Sequence, residues 1–311
     1  MPAIRIATRA SKLAIAQTKL VCNMLREVNA DLQIELVEIS TRGDRDKSDF
    51  LYKSSSSVGF FTSELEKALL ENAADVAVHS FKDLPTAITP GLAITAVPKR
   101  VSPADALICS DGSTSIKGLK PGAVVGTSSV RRIAQLKHLR PDVHARPCRG
   151  NVDTRIGKLR GGQYDALILA HAGLIRMGKE DEISAVLPFE DFLPAPAQGA
   201  LAIQTRSDDK TANVIVSQID DNGARLRAEL ERRILARLHG GCSIPLGALA
   251  MVEGDAVSIS AMIADPAGEP FVREQIRAQR QDAEAAADEL AESLLANGGA
   301  EILARFNRDR E

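Results

Sequence analysis

The alternation of strand-like and helical runs constrains this chain most. Residues 4–7 form a short apolar strand pattern, and Ser11 stands where the N-cap of a helix over 12–28 should be. Residues 34–39 alternate apolar and acidic side chains, as a strand does. A polar, charged, Ser-rich stretch over 41–59 predicts a long loop, and loops that long in compact domains are functional or disordered. Helical periodicity returns at 62–70, followed by a buried strand at 75–79. The plan then repeats: strands at 104–109, 123–126, 143–146, 164–169 and 200–204, with helices at 130–139, 152–160 and 225–238. Such alternation predicts parallel α/β layers joined by right-handed crossovers. Beyond residue 240 the pattern changes. Runs at 248–252, 257–264 and 271–276, separated by turn residues, predict an antiparallel meander, and 282–306 is helical apart from a break at Asn297-Gly298-Gly299. The expected architecture is therefore an α/β body followed by a small α+β domain, with the boundary near residue 220.

Composition narrows the function. A chain of 311 residues with 44% hydrophobic and 26% charged side chains has a globular balance and room for two or three domains. A net charge of −2, 3% aromatics and no Trp argue against a nucleic-acid binder. Arg5 and Arg9 interrupt the N-terminal residues before any apolar signal core can form, so the cytoplasm is the expected location. Cys22, Cys109, Cys148 and Cys242 are far apart and lack zinc spacing, so free thiols are expected and no metal site. Cys22 and Cys109 read as small buried apolar residues, whereas Cys148 falls in a basic loop.

The charge itself is concentrated. Residues 131–160 hold nine Lys or Arg against Asp142 and Asp153, a local surplus of seven. Most are Arg, whose planar fork matches carboxylates, and they sit beside turns and helix starts. Gly126-Thr127-Ser128-Ser129-Val130-Arg131-Arg132 reads as a strand end, a turn and a helix start, a terminus that offers free N–H groups to an anion. N-capping by Ser128 or Ser129 is the plainer reading of the same hydroxyls. Arg149-Gly150-Asn151 and Thr8-Arg9-Ala10-Ser11 repeat the arrangement, and in an open α/β sheet such junctions surround the crevice at the strand ends. His79-Ser80-Phe81-Lys82-Asp83-Leu84-Pro85 follows another buried strand. There Asp83 is either half of a structural salt bridge or a carboxylate that stabilises a developing cation or moves a proton. Cys242, after Gly240-Gly241, lies in an adaptable turn that suits an anchor; a hydrolase-type nucleophile would need more than the nearby His239.

Taken together, Arg5-Ile6-Ala7-Thr8-Arg9, Ser40-Thr41-Arg42-Gly43-Asp44, Val78-His79-Ser80-Phe81-Lys82-Asp83-Leu84-Pro85, Gly126-Thr127-Ser128-Ser129, Arg149-Gly150-Asn151, Gln198-Gly199-Ala200 and Gly240-Gly241-Cys242 resemble the hydroxymethylbilane synthase (porphobilinogen deaminase) family over essentially the whole chain. The resemblance implies four porphobilinogen units joined head to tail with loss of ammonia, on a dipyrromethane cofactor held by Cys242 through a thioether. It implies two lobes like the halves of type II periplasmic binding proteins, at 1–98 plus 199–219 and at 99–198, with a third domain at 220–311. It implies a monomeric cytoplasmic enzyme whose partner is a small molecule, not a nucleic acid or a membrane. Asp83 matches the catalytic carboxylate facing the pyrrole nitrogens. Lys82, Thr127, Ser128, Ser129, Arg131, Arg132, Arg149 and Gly150 match cofactor contacts. Arg9, Ser11, Gln17, Arg149, Arg155, Arg176 and Gln198 match substrate contacts.

Two positions depart from the family pattern. Val58 stands where a Lys is common, although Lys53 matches a family lysine and Lys47 is close by. Ala197 stands where Gly is common. The competing reading from another class is a two-lobed solute-binding protein, which explains the Arg-lined junctions but neither a third domain nor Gly241-Cys242. A catalytically inactive homologue is the other alternative.

Overall fold

The computed structural model describes residues 3–39, 62–238 and 244–308. The loop expected at 41–59, with Lys47, Lys53 and Val58, and the turn that holds Cys242 lie outside them.

The first strand, β1 (Ile4–Arg9), buries Ile4 and Ile6 and leads into helix α1 (Lys12–Val28). Ser11 caps that helix, its hydroxyl accepting from the Ala14 N–H at 3.3 Å. The stripe Ala14, Thr18, Val21, Cys22 and Leu25 recurs every three or four residues, and its burial holds α1 on the sheet. Strands β2 (Ile34–Ile39), β3 (Val76–Ser80) and β4 (Leu92–Ala96) follow, with α2 (Ser63–Leu70) before β3. The chain then leaves this sheet to build a second one from β5 (Asp105–Cys109), β6 (Val124–Gly126), β7 (His144–Arg146), β8 (Ala166–Ala170) and β9 (Ala185–Val186). Helices α3 (Val130–Leu139), α4 (Val152–Arg160) and α5 (His171–Arg176) connect these strands. It returns to the first sheet as β10 (Leu201–Arg206), followed by α6 (Lys210–Ser217).

The sheets share one plan, ordered β2-β1-β3-β10-β4 and β7-β6-β8-β5-β9. The parallel layers expected from the alternation hold for four strands in each. The fourth in the row is reversed: β10 pairs antiparallel with β3 and β4, and β5 with β8 and β9. The reversal follows from the route of the chain. Each reversed strand is reached by crossing between the sheets, so it enters from the side opposite to that used by a βαβ crossover. Two α/β lobes of one plan result.

A third unit begins with α7 (Asn222–Arg237), continues as the meander β11 (Leu246–Glu253), β12 (Ala256–Ala264) and β13 (Phe271–Gln279), and ends in α8 (Ala283–Leu294) and α9 (Ala300–Arg308). Leu230, Ile234, Ile259, Ile263, Leu290, Leu294 and Phe306 share its core. The predicted break is present, with Gly298 at φ +112° in the left-handed region where glycine costs least.

The two segments that cross between the lobes lie against each other. The Arg100 side chain donates to the Gln198 carbonyl at 2.8 Å, and a Cβ on Gly199 would sit 2.0 Å from the Ser102 carbonyl oxygen. Glu231 of α7 locks the junction: fully buried, it takes both Arg100 nitrogens (2.7 and 2.9 Å), the Ala197 N–H (2.6 Å) and the Ala250 N–H (3.0 Å). Ala197 is held there at φ +58°, a conformation that costs a side-chain-bearing residue roughly 1 kcal/mol or more. Ala197→Gly is accordingly expected to raise stability by roughly 1 kcal/mol, read as an increased melting temperature. An unchanged or lower melting temperature would show that this backbone carries no strain.

Candidate active site

The chemistry-bearing residues collect at the carboxyl ends of the parallel strands. Arg9 ends β1, and Ser80 ends β3 just before a single 3₁₀ turn, Phe81–Asp83. Gly126 ends β6, with Thr127-Ser128-Ser129 turning into α3, while Arg149-Gly150-Asn151 follows β7 and α5 follows β8. The two sets face one another: Lys12, beside Ser11 in the first lobe, pairs with Asp153 in the first turn of α4 at 2.9 Å. Leu13 lies 3.9 Å from where a Cβ on Gly173 of α5 would be.

Lys82 and Asp83 are both partly exposed, although their neighbours Phe81 and Leu84 are buried. The Lys82 ammonium donates to the Gln198 side-chain oxygen at 3.3 Å. Burial pushes its pKa down to about 8, with Asp83 opposing and Arg132 adding to the fall. Asp83 makes no ion pair among the described residues, so the salt-bridge reading finds no support there.

Arg131 and Arg132 are buried and share Asp105, which no part of the sequence reading singled out. Arg131 reaches one Asp105 oxygen at 2.8 Å and Arg132 the other at 2.7 Å. Burial alone would raise this carboxyl, but the two guanidiniums, with hydrogen bonds from Arg132 and Gln198, hold its pKa down to about 2. Arg132 also donates to the Ile168 carbonyl at 2.9 Å, and Arg131 to that of Leu193 at 2.5 Å. One carboxylate is thus set against two arginines, with Lys82 close enough for its proton affinity to respond to all three.

The capping expectation for Ser128 and Ser129 is corrected. Ser129 occupies the N-cap of α3, but its side chain makes no capping bond. The Ser128 hydroxyl instead accepts from the Cys148 N–H at 3.1 Å and donates to the Cys148 carbonyl, tying the two loops together. Thr127 is buried, its hydroxyl oxygen accepting from the Ser129 N–H at 3.3 Å. Cys148 is itself fully buried behind this turn, and Cys22, Cys109 and Cys148 are free thiols.

Gly150 has φ +113°, and a Cβ there would fall 2.7 Å from a Thr154 methyl, so the turn before α4 requires glycine. Asn151 caps α4 by accepting from the Thr154 N–H at 2.8 Å. The Arg155 guanidinium donates to the Gly150 carbonyl at 2.9 Å, and burial together with Arg132 and Arg149 lowers its pKa. Arg176 donates to the Gly199 carbonyl at 2.7 Å, but its Nε is buried without a hydrogen-bond partner among the described residues. Burial pushes its pKa down to about 10.

Two residues expected to touch substrate are committed inside the protein. Gln17 is buried and donates to the Ser80 hydroxyl at 3.0 Å. Gln198 is fully buried, its amide donating to the Pro103 carbonyl and to Asp105, both at 2.8 Å. A neutral amide that satisfies an aspartate on one side and Lys82 on the other organises the charges around it. Signals for the unforeseen residues are faint in sequence: Asp105 is one acid inside an apolar strand, and Arg100 and Glu231 look like surface charges.

Lys82, Arg131, Arg132, Arg149, Arg155 and Arg176 thus collect with Asp83 and Asp105 at the strand ends of the two α/β lobes, an excess of cations whose chemistry suits carboxylate-rich ligands. The comparisons make this specific. Residues 4–214 match the family model described as porphobilinogen deaminase, dipyromethane cofactor binding domain, and 225–296 match its C-terminal domain. A porphobilinogen deaminase of Brevibacillus brevis is 43% identical over 308 residues, covering 99% of this chain and 98% of that protein. One from Pelotomaculum thermopropionicum is 44% identical over 306 residues, covering 98% and 97%. The substrate-binding domain of a putative molybdenum ABC transporter from Clostridium difficile shares 11% identity at a TM-score of 0.43, covering 71% of this chain and 93% of that one, a likeness too distant to bear on function. The chain belongs to the porphobilinogen deaminase family. It is a transferase of porphyrin biosynthesis that uses a dipyrromethane cofactor to condense four porphobilinogen molecules head to tail and release hydroxymethylbilane. No helix among the described residues is long and apolar enough to cross a membrane.

Proposed function

We propose that Cys242 holds the dipyrromethane through a thioether, that Asp83 is the catalytic carboxylate, and that the Arg set binds the carboxylates of cofactor and substrate. The observation that carries this reading is the position of Asp83. It stands at the end of β3 beside the facing cations, without an ion partner among the described residues. The site suits the cofactor by charge and by free valence: among the described residues cations outnumber carboxylates, the Arg176 Nε lacks a partner, and the Ser129 hydroxyl makes no cap. Each pyrrole unit of substrate or cofactor carries an acetate and a propionate, which supply the acceptors such groups need. When bound, the dipyrromethane supplies the pyrrole carbon to which the first porphobilinogen is joined.

The work of the protein's own residues follows from their placement. As ammonia leaves porphobilinogen, positive charge spreads over the pyrrole ring. A carboxylate fixed beside the ring N–H stabilises that charge where it develops, which lowers the barrier more than it tightens ground-state binding. Asp83 fills that role and can accept the ring N–H hydrogen bond. Arg9, Ser11, Arg149, Arg155 and Arg176 bind the substrate carboxylates, and Arg131, Arg132, Lys82, Thr127, Ser128, Ser129 and Gly150 the cofactor side. Gln198 and Gln17 act one step back, holding Lys82 and Ser80. The domain limits in this reading are 1–98 plus 199–219, 99–198 and 220–311, and the enzyme works as a cytoplasmic monomer without a nucleic-acid partner.

Intact mass spectrometry tests the anchor. The purified wild type is expected to exceed its polypeptide mass by two pyrrole units, and Cys242→Ser to show the bare polypeptide. A bare mass in wild-type protein that turns over porphobilinogen would remove Cys242 from this role.

A further inference from the structure

We infer that Arg232, on α7 of the third unit, is a positioning residue for catalysis that sets the orientation of Asp83. The inference rests on the reading of Asp83 as the catalytic carboxylate.

Asp83 has little of its own to hold it. Its turn is three residues long, and its side chain makes no ion pair among the described residues. The backbone around it is gripped from outside the lobe. One guanidinium nitrogen of Arg232 donates to the Phe81 carbonyl at 3.1 Å and the Leu84 carbonyl at 2.9 Å, and the other to the Pro85 carbonyl at 2.6 Å. These carbonyls lie on either side of Asp83 along the chain, so a single planar group holds both ends of the short turn that carries it. The same guanidinium lies over the Phe81 ring, 4.5 Å from its centroid, and Arg232 is 8% exposed. Phe81 and Leu84 pack with Ala228 and Ala224, one and two turns earlier on the same helix. Segment 81–85 is therefore clamped to α7 by its carbonyls and by its apolar side chains. Lys82 and Asp83 are left partly exposed.

The chemistry explains why the residue is Arg. Spanning three carbonyls at fixed angles while stacking on a ring needs a planar, permanently charged fork. The compact lysine ammonium supplies neither the span nor the stack. Glu231, the preceding residue, locks the segments crossing between the lobes, so two consecutive side chains of α7 fix the junction and the Asp83 turn together. A misplacement on the order of 1 Å at a reacting group can cost about a hundredfold in rate. The expected loss is therefore in the chemical step and not in substrate affinity.

The test uses the full-length enzyme carrying its cofactor. Arg232→Gln is expected to lower kcat by about 10- to 100-fold with KM within threefold of wild type. Arg225→Gln is the control. Arg225 also joins α7 to the first lobe, but it donates to the Ile94 and Thr95 carbonyls of β4, outside the segment 81–85 that carries Asp83. It should lose stability and keep kcat within twofold. The double variant Asp83→Asn with Arg232→Gln should be no slower than Asp83→Asn alone, because both changes act through one carboxylate. Should Arg232→Gln fail to fold, Arg232→Lys keeps the charge and is expected to lose several-fold in kcat for want of the fork. A folded Arg232 variant with kcat within twofold of wild type, while Asp83→Asn is crippled, overturns the inference and leaves the role of Asp83 standing. Equal losses in Arg232→Gln and Arg225→Gln also overturn it, since docking of α7 alone would then account for both. A fully active Asp83→Asn overturns the reading on which the inference rests.

Discussion

Asp83→Asn is expected to cut turnover by roughly 10²- to 10⁴-fold while leaving the cofactor attached and the melting temperature close to wild type. The substitution keeps size and hydrogen-bonding capacity but removes the charge that, in the proposed role, faces the developing cation. The stability forecast follows from the structure: Asp83 is partly exposed and holds no ion pair among the described residues, so little folded-state energy depends on it. Two measurements decide the matter, steady-state turnover and intact mass. Near-normal turnover in a cofactor-bearing variant would remove the proposed role.

Asp105→Ala is expected to act in the opposite way, through stability. Arg131 and Arg132 would be left buried without their shared counter-ion, and breaking a buried pair on one side costs about 3–5 kcal/mol. The pH dependence has a definite sign. The folded-state pKa of Asp105 is depressed to about 2, below the unfolded value of about 3.9. Its contribution, on the order of 2 kcal/mol, is therefore fully present above about pH 4 and is lost as pH falls through the folded pKa. Urea unfolding of Asp105→Ala should show the large loss at pH 7. A difference below about 1 kcal/mol there would mean that the arginines find other partners. Cofactor content should fall as well, because Arg131 and Arg132 lose the carboxylate that aims them.

Much of this was legible before the structure, for physical reasons that differ from residue to residue. The Arg-bearing junctions at Arg9, Arg131 and Arg149 could be read because strand ends, turns and helix starts have local signatures. Those signatures carry the side chains to one end of the sheet. Asp105, Glu231 and Arg232 could not be read. A charge that is buried because two other segments close over it looks, in sequence, like a charge on a surface. Gln198 is hard to read for the same reason: a polar residue beside a functional motif suggests contact with ligand, and sequence does not show that in the fold its amide meets Pro103, Asp105 and Lys82. The reversed direction of β10 and β5 was invisible because strand direction depends on the path of the chain between lobes. The short β4 and β9 escaped because five and two residues carry too little periodicity to stand out. Ala197 was seen as a departure from a usual glycine, and its positive φ explains why glycine suits that position.

The placement of β10 has a consequence for the order in which the molecule can be made. Among the described residues the second sheet is drawn entirely from 105–186, so those strands are all present once that stretch has left the ribosome. The first sheet is not. Among the described residues β4 pairs only with β10, and β3 keeps an open edge until residues 201–206 arrive to fill the gap between them. A nascent chain can therefore finish its second lobe while its first is still one central strand short, and the lobe that begins the sequence is completed later. Until then its unpaired edges of β3 and β4 are exposed to other chains.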